Sequence, residues 1–294
     1  PYTKDFENSL SKCLLCMTCS EHCPVGCQVQ SAITASRADR VKAHGVGLLS
    51  GFVYKRLIPH RTLFGNVVRV ASWLQRIFLP HGEGRTRHLP LFLSALGKGR
   101  EIPTIAPKFL RQLVPVINRP DRVTPEMRVG FFVGCATDFI FPEVGKKAID
   151  LLTKRGIEVV VPQTQGCCGA PVWLGSGDFE TGRRLADKNV EVFKDFDYVF
   201  AVCATCTSSL KEYHKFLANN SLRKTAYKKF AEKVKDVSQL LFDVLKIDQS
   251  DLNTSPELKG KKITWHDPCH ANRYLGIRKE PRKILKSLSD VDYV

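Results

Sequence analysis

The run Cys13-Leu14-Leu15-Cys16-Met17-Thr18-Cys19-Ser20-Glu21-His22-Cys23-Pro24 narrows the possibilities for this chain more than any other feature. Its spacing is C-x2-C-x2-C-x3-C-P, and three thiols at successive threes suit a loop wrapped around a polynuclear centre. Cys13, Cys16 and Cys19 are placed to reach three corners of one cubane [4Fe-4S] cluster, while Cys23, directed elsewhere by Pro24, serves a neighbouring cluster. A structural zinc site would favour two separated C-x2-C knuckles. This wiring leaves both clusters short of ligands within residues 1–30, so a further array is expected upstream of Pro1. Cys27 falls outside the pattern and reads as a plain buried thiol.

A second array comprises Cys135, Cys167-Cys168-Gly169 and Cys203-Ala204-Thr205-Cys206. Around it the chain alternates apolar runs (Val129 to Val133, Ile157 to Val161, Tyr198 to Val202) with amphipathic stretches (Val144 to Lys154, Phe179 to Phe193). Strand, helix, strand in that rhythm predicts a small, doubly wound parallel sheet. Each cysteine then lies just past the carboxyl end of a strand, where open parallel sheets gather their sites. A cubane needs four protein thiolates and five converge here, so an ordinary cubane is not the natural product. Zinc bound by four of the five is the alternative. Gly166 and Gly169 flank the vicinal pair, as suits backbone passing close to a cluster.

Other stretches place these arrays in a larger frame. Gln28 to Ala38 has helical composition with a stop at Gly45, and a helix is expected from Cys206 to Leu217. Phe230, Val234, Val237, Leu241 and Val244 follow at helical spacing. Between Val46 and Glu126 short amphipathic runs give way to Pro103, Pro107, Pro115, Pro120 and Pro125, which predict an extended connector. A shift of 134 residues superposes Cys135 on Cys269, Val144 to Lys154 on Arg278 to Leu288, and Val159-Val160 on Tyr293-Val294. The chain therefore contains the beginning of a second copy, opening at Ile263-Thr264-Trp265. His266, Asp267 and His270 beside Cys269 are read as capping a strand end or bonding a cluster sulfur, ahead of titrating near a quinone or a substrate, and His22 and His44 as surface residues.

At 294 residues the chain can bury a core without disulfide staples, so its eleven cysteines, odd in number and tightly clustered, point to metal in a reducing compartment. No secretory leader precedes the first array, and the longest apolar stretch, Val46 to Tyr54, is too short to span a bilayer. A cytoplasmic location is expected, with peripheral attachment at the inner face of the membrane as its variant. The net charge of +16 is concentrated between Arg37 and Arg128, where seventeen Lys or Arg face five Asp or Glu. The excess either balances anionic clusters or forms a docking face for an acidic partner or an anionic membrane. Nucleic acid is the third candidate, but no helix-turn-helix, zinc-finger or aromatic-basic strand motif accompanies the charge, so no nucleic-acid partner is expected.

With these residues in view, the Cys135 to Cys206 array resembles the cysteine-rich CCG domain. Together with Cys13 to Cys23 it is similar in layout to the iron-sulfur subunits of glycolate oxidase, anaerobic glycerol-3-phosphate dehydrogenase, lactate utilisation and heterodisulfide reductase. The resemblance implies an α+β ferredoxin-like cluster domain (1–44, partial), a basic Pro-rich connector (45–127), a first α/β CCG domain with a small parallel doubly wound sheet (128–255), and the start of a second (256–294). It implies Cys269 as first ligand of the second CCG site, with the remaining ligands falling near position 301. It further implies an electron conduit from a partner flavoprotein that oxidises a 2-hydroxy acid, lactate or glycolate in class, to a quinone or other carrier. No G-x-G-x-x-G follows a strand, and Gly175-Ser176-Gly177 lacks the third glycine, so flavin chemistry belongs to another subunit. A heterodisulfide reductase-like catalyst, and a chain with zinc in the CCG site and only the first array redox-active, are the competing expectations.

Overall fold

The computed structural model describes residues 3–78, 86–87, 102–121, 124–247 and 256–294. Parts of the basic segment and the expected boundary near 255 lie outside the described residues. The helices, in chain order, are α1 Lys4–Lys12, α2 Thr18–Glu21, α3 Val29–His44, α4 Leu48–Phe52, α5 Arg61–Phe78, α6 Leu110–Leu113 and α7 Gly134–Phe139. They continue with α8 Pro142–Thr153, α9 Phe179–Val192, α10 Ala204–Phe216, α11 Ser221–Lys233, α12 Val237–Gln239 and α13 Glu280–Ser287. The strands are β1 Thr86–Arg87, β2 Ile102–Pro103, β3 Ile117–Asn118, β4 Met127–Phe131, β5 Ile157–Val160, β6 Tyr198–Ala201, β7 Val234–Asp236, β8 Lys262–Ile263 and β9 Asp292–Tyr293. These form two compact units: one from 1–47, 168–190 and 204–294, the other from 48–167 and 191–203.

The 48–167/191–203 unit holds neighbouring strands in the order β3-β5-β4-β6. β4 lies parallel to both β5 and β6, with Val129 opposite Val159 on one side and Tyr198 on the other. The continuous apolar runs are what a parallel sheet covered on both faces requires, and Val129, Phe131, Val159, Val199 and Phe200 are all fully buried. Phe131 and Phe200 stack across the β4–β6 pair at 4.5 Å. The prolines of the connector have a more specific role than an extended link. Pro115 and Pro120 bracket β3, which pairs antiparallel with β5 and forms an edge of the sheet, where a missing N–H is tolerated.

In the other unit α3 runs to His44 and stops at Gly45, as its glycine predicts. The helical spacing from Phe230 to Val244 is interrupted. Asp236 accepts a hydrogen bond from the Ser238 N–H and shares a capping box with Gln239, so β7 separates α11 from α12. Apolar spacing there records burial on successive short elements, not one helix. β8 and β9 pair in parallel with Lys262 opposite Asp292 and Ile263 opposite Tyr293. Shifted by 134, this is the register of Arg128 with Glu158 and Val129 with Val159. The cross-strand ion pair repeats too, Arg128–Glu158 in the first copy and Lys262–Asp292 in the second.

Gly177, in left-handed conformation (φ +88°), closes a wide π-type turn at Ala170–Ser176. A Cβ placed there would stand 2.3 Å from the Arg37 carbonyl oxygen of α3, backbone that has nowhere to go. Gly177→Ala is therefore expected to destabilise this unit by about 2 kcal/mol or more, from the left-handed strain plus the clash. A urea denaturation curve checks it.

Candidate metal centre

The first array begins where α1 ends. Leu15 and Met17, neither of them glycine, take left-handed backbone conformations (φ 53° and 63°), which coils the chain between Cys13 and Cys19. Such residues persist only where their surroundings hold them, and Leu15 is pinned by burial. The coil turns backbone donors onto sulfur: the Leu15 N–H donates to Cys13 Sγ and the Cys27 N–H to Cys23 Sγ, each at 3.4 Å. Hydrogen bonds to Thr18, with Arg273 nearby, hold the Cys16 thiol below its ordinary value. Backbone bonds from residues 27 and 25 do the same for Cys23. Each of these favours the thiolate, the form that ligates iron. Cys27 itself is exposed, not buried, and contributes its N–H.

Beneath this loop lies Arg37, a buried guanidinium from α3. It donates to the carbonyl oxygens of Leu10, Cys13 (2.7 Å) and Leu174 (2.8 Å). These are neutral acceptors. Burial pushes the Arg37 guanidinium down, and its proximity to Cys13 opposes that, so its charge suits an anionic group bound at the first array.

The segment opening the second repeat is fastened to the same loop. Tyr274 donates its hydroxyl to the Leu15 carbonyl at 2.9 Å, and Arg273 donates to the Cys16 carbonyl at 3.2 Å while pairing with Glu21. Arg278 pairs with Glu21 at 2.7 Å. Cys269 precedes a π-type turn, His270–Tyr274, in which the His270 ring stacks on Tyr274 at 4.5 Å and its Nδ1 meets Ser208 Oγ at 2.8 Å. Burial lowers the His270 imidazole while nearby Cys168 raises it. Asp267 is held by Arg282 and by the Trp265 indole N–H, a structural partnership. His22 and His44 are exposed.

In the sheet-bearing unit, Cys135 occupies the first turn of α7 after β4, Cys167 the loop after β5, and Cys203 the residue before α10 after β6. Three adjacent parallel strands thus deliver one cysteine each at their carboxyl ends. Cys168 follows Cys167 directly, and Cys206 lies in the first turn of α10. Cys167, Cys168 and Cys206 are buried; Cys135 and Cys203 are partly exposed. Gly169 is left-handed (φ +81°), which turns the chain immediately after the vicinal pair.

Polar residues that no motif announced hold these loops. Gln165, fully buried, accepts from the Val133 N–H at 2.8 Å and donates to the Phe131 carbonyl at 2.9 Å, tying the Cys167 loop to the end of β4. Asp138, on α7 three residues after Cys135, pairs with Arg61 and, at 3.3 Å, with Arg111. Two cations of the basic segment therefore anchor the helix that carries a ligand candidate. Tyr213 donates to the Cys168 carbonyl at 2.8 Å and is itself held by Asn189 at 3.2 Å.

Among the described residues, no three or more His, Cys, Asp and Glu side chains stand together as a site for a single metal ion. A polynuclear cluster spreads its thiolates more widely than one ion does. The donors at both arrays are thiols throughout, on loops stiffened by hydrogen bonds, and this set fits iron-sulfur chemistry.

The cysteine-rich CCG domain family matches residues 129–211 and 263–294, the two windows related by the 134-residue shift. A probable glycolate oxidase iron-sulfur subunit of Bacillus subtilis is 29% identical over 99% of this chain and 66% of its own length. Lactate utilization protein A of Geobacillus kaustophilus is 33% identical over 57% of this chain and 68% of its own. A subunit of the fumarate reductase (CoM/CoB) from Methanothermobacter marburgensis is 34% identical over 58% of this chain and 31% of its own. The chain spans about a third to two thirds of the length of the curated relatives it matches. Aligned arrays, a repeated strand register and these similarities place the chain in the family of CCG-domain iron-sulfur proteins that contains the glycolate oxidase and lactate utilisation subunits.

Proposed function

We propose that this chain is an iron-sulfur electron-transfer subunit, relaying electrons from a partner flavoprotein that oxidises a 2-hydroxy acid of the lactate or glycolate class to a quinone or other carrier. The observation that carries the reading is the pair of thiolate arrays: one coiled by left-handed residues with N–H groups aimed at sulfur, the other at the ends of three adjacent parallel strands. Cys13, Cys16, Cys19 and Cys23 would hold cubane clusters, Cys135, Cys167, Cys168, Cys203 and Cys206 a non-cubane one, and Cys269 would begin the second CCG site. Iron-sulfur clusters bound there accept and release one electron at a time.

The chain's own residues set the conditions for that exchange. Arg37 places a buried positive charge against the Cys13 end of the loop, which favours the more negative, reduced state. Tyr274, Arg273 and Glu21 fix the Cys269 segment to the first array, so the two ligand-bearing segments keep a constant separation. Gln165 and Tyr213 hold the backbone on either side of Cys167 and Cys168. Burial of that vicinal pair favours electron relay over the rival reading, disulfide cleavage, which needs room for two substrate thiols beside them.

The test is purification of the tagged chain from its native host under anaerobic conditions. A flavin-containing subunit is expected to co-purify, and lactate or glycolate is expected to bleach the visible absorbance of the complex. A stable flavoprotein complex that neither acid bleaches would overturn the substrate class, and reduction of small disulfides by the isolated chain would favour the rival.

A further inference from the structure

The helix α5 turns a long apolar stripe to solvent. Its buried positions are polar: Ser72 donates to the Ala106 carbonyl at 3.1 Å, and Gln75 both donates to the Ile105 carbonyl (2.6 Å) and accepts from the Ile105 N–H (3.0 Å). Phe64 packs edge-on against Phe139 on the inner side, but most of the large apolar residues face outward. Leu63, Val67, Val70, Leu74 and Ile77 recur at four- and three-residue steps along one exposed stripe, with Trp73 and Phe78 beside it. Val70, Trp73 and Ile77 are 57%, 59% and 56% exposed. An ordinary surface helix buries its apolar stripe. Here polar side chains have been provided with backbone partners on the inner side, which frees the apolar side for another contact.

The chemistry along this stretch specifies the contact. Leu48, Leu49 and Phe52, on α4 shortly before it in the chain, are exposed as well. Lys55, Arg56, Arg69 and Arg76 in the same stretch are exposed, and no Asp or Glu occurs between Asp39 and Glu83. A tryptophan, phenylalanine and leucines on one side, cations that can reach up from the flanks, and no acidic residue are the composition of a helix lying in a lipid interface. An acidic protein groove would match the cations but does not call for this length of continuous apolar stripe. No helix among the described residues is long and apolar enough to cross a membrane, so the contact is lateral.

We infer that α4 and α5 form an interfacial element that lies on an anionic bilayer with Val70, Trp73 and Ile77 inserted and Arg69 and Arg76 at the headgroups. This inference uses no cysteine and stands apart from the electron-transfer reading, although a membrane seat would bring the chain to a lipid-soluble acceptor.

The test is co-sedimentation of the full chain with vesicles of phosphatidylglycerol and phosphatidylcholine, compared with vesicles of phosphatidylcholine alone. Binding is expected only to the anionic vesicles and is expected to weaken as salt rises. Brominated lipid is expected to quench the Trp73 emission, a signal lost in Trp73→Phe. The pair Val70→Glu and Ile77→Glu, at exposed positions, is expected to reduce binding at least about tenfold while the thermal midpoint and iron content stay as in the wild type. Cys16→Ala is expected to bind vesicles normally, which separates this inference from the cluster reading. It is overturned if the wild-type chain stays in the supernatant, if the double glutamate variant binds as well as wild type, or if the stripe is instead covered by a second copy of the chain or by the flavoprotein with no lipid quenching.

Discussion

Replacing Cys16 with alanine is expected to remove about four irons from the purified chain and the visible absorbance that accompanies them, while Cys168→Ala removes a different, separable share. The physical ground is that the two thiols sit in unlike surroundings. Cys16 lies on a coil whose shape is fixed by Leu15 and Met17 in left-handed conformation, and its thiolate is favoured by Thr18 and Arg273. Cys168 is buried between a turn at Gly169 and the hydroxyl of Tyr213 on its own carbonyl. Alanine supplies no soft donor in place of either thiol. Cys27→Ala is the control: Cys27 is exposed and gives the array only a backbone N–H, which alanine retains, so iron content should not change. Iron and acid-labile sulfide analysis of the three variants checks this. Equal loss in Cys27→Ala would assign the array's ligands differently.

Asp138→Ala is expected to cost about 3–5 kcal/mol, a large fraction of the ~5–15 kcal/mol that holds a domain folded. The Asp138 side chain is 3% exposed and its partners Arg61 and Arg111 are 11% and 8% exposed. Burial, with Arg61 nearby, pushes the Arg111 guanidinium down, while Asp138 draws it back up. Because Arg111 Nε and Nη2 find no hydrogen-bond partner among the described residues, the carboxylate charge is what compensates that cation. Asp138 also accepts the Arg111 backbone N–H at 3.2 Å. Removing it leaves two buried cations facing each other, and it loosens the helix that carries Cys135. Urea denaturation of the metal-free chain measures the stability term. A triple replacement, Asp138→Leu with Arg61→Leu and Arg111→Met, should recover most of it, since an apolar set of similar volume removes the stranded charges. Recovery of stability without recovery of iron at the CCG array would show that the ion pairs also aim Cys135.

What the sequence disclosed follows from which interactions are local. The array spacings, the apolar runs of β4, β5 and β6 and the helices between them are local patterns, and the 134-residue repeat is visible down to the strand register because both copies obey the same pairing. The polar residues that hold the ligand loops were not legible. Gln165 is one amide in a loop until β4 lies beside it, and Arg37 looks like surface charge until Leu174, 137 residues away, supplies a carbonyl. Asp138 gives no sign that its partners are at positions 61 and 111. The stripe from Phe230 to Val244 misleads in the opposite sense, since buried Phe230, Val234 and Leu241 and half-buried Val237 and Val244, on a helix, a strand and a further helical stretch, fell by chance at helical spacing. The outward apolar side of α5 was concealed for a related reason: amphipathicity is visible in sequence, but which side is buried depends on Ser72 and Gln75 meeting the backbone at 105 and 106.

The central claim, that the two arrays hold redox-active iron-sulfur clusters, is tested most directly by an EPR-monitored reductive titration of the anaerobically purified chain. The account predicts at least two paramagnetic signals with separate midpoints, one absent in Cys16→Ala and the other absent in Cys168→Ala. A single signal, lost in Cys16→Ala and unchanged in Cys168→Ala, together with one zinc per chain, would contradict it.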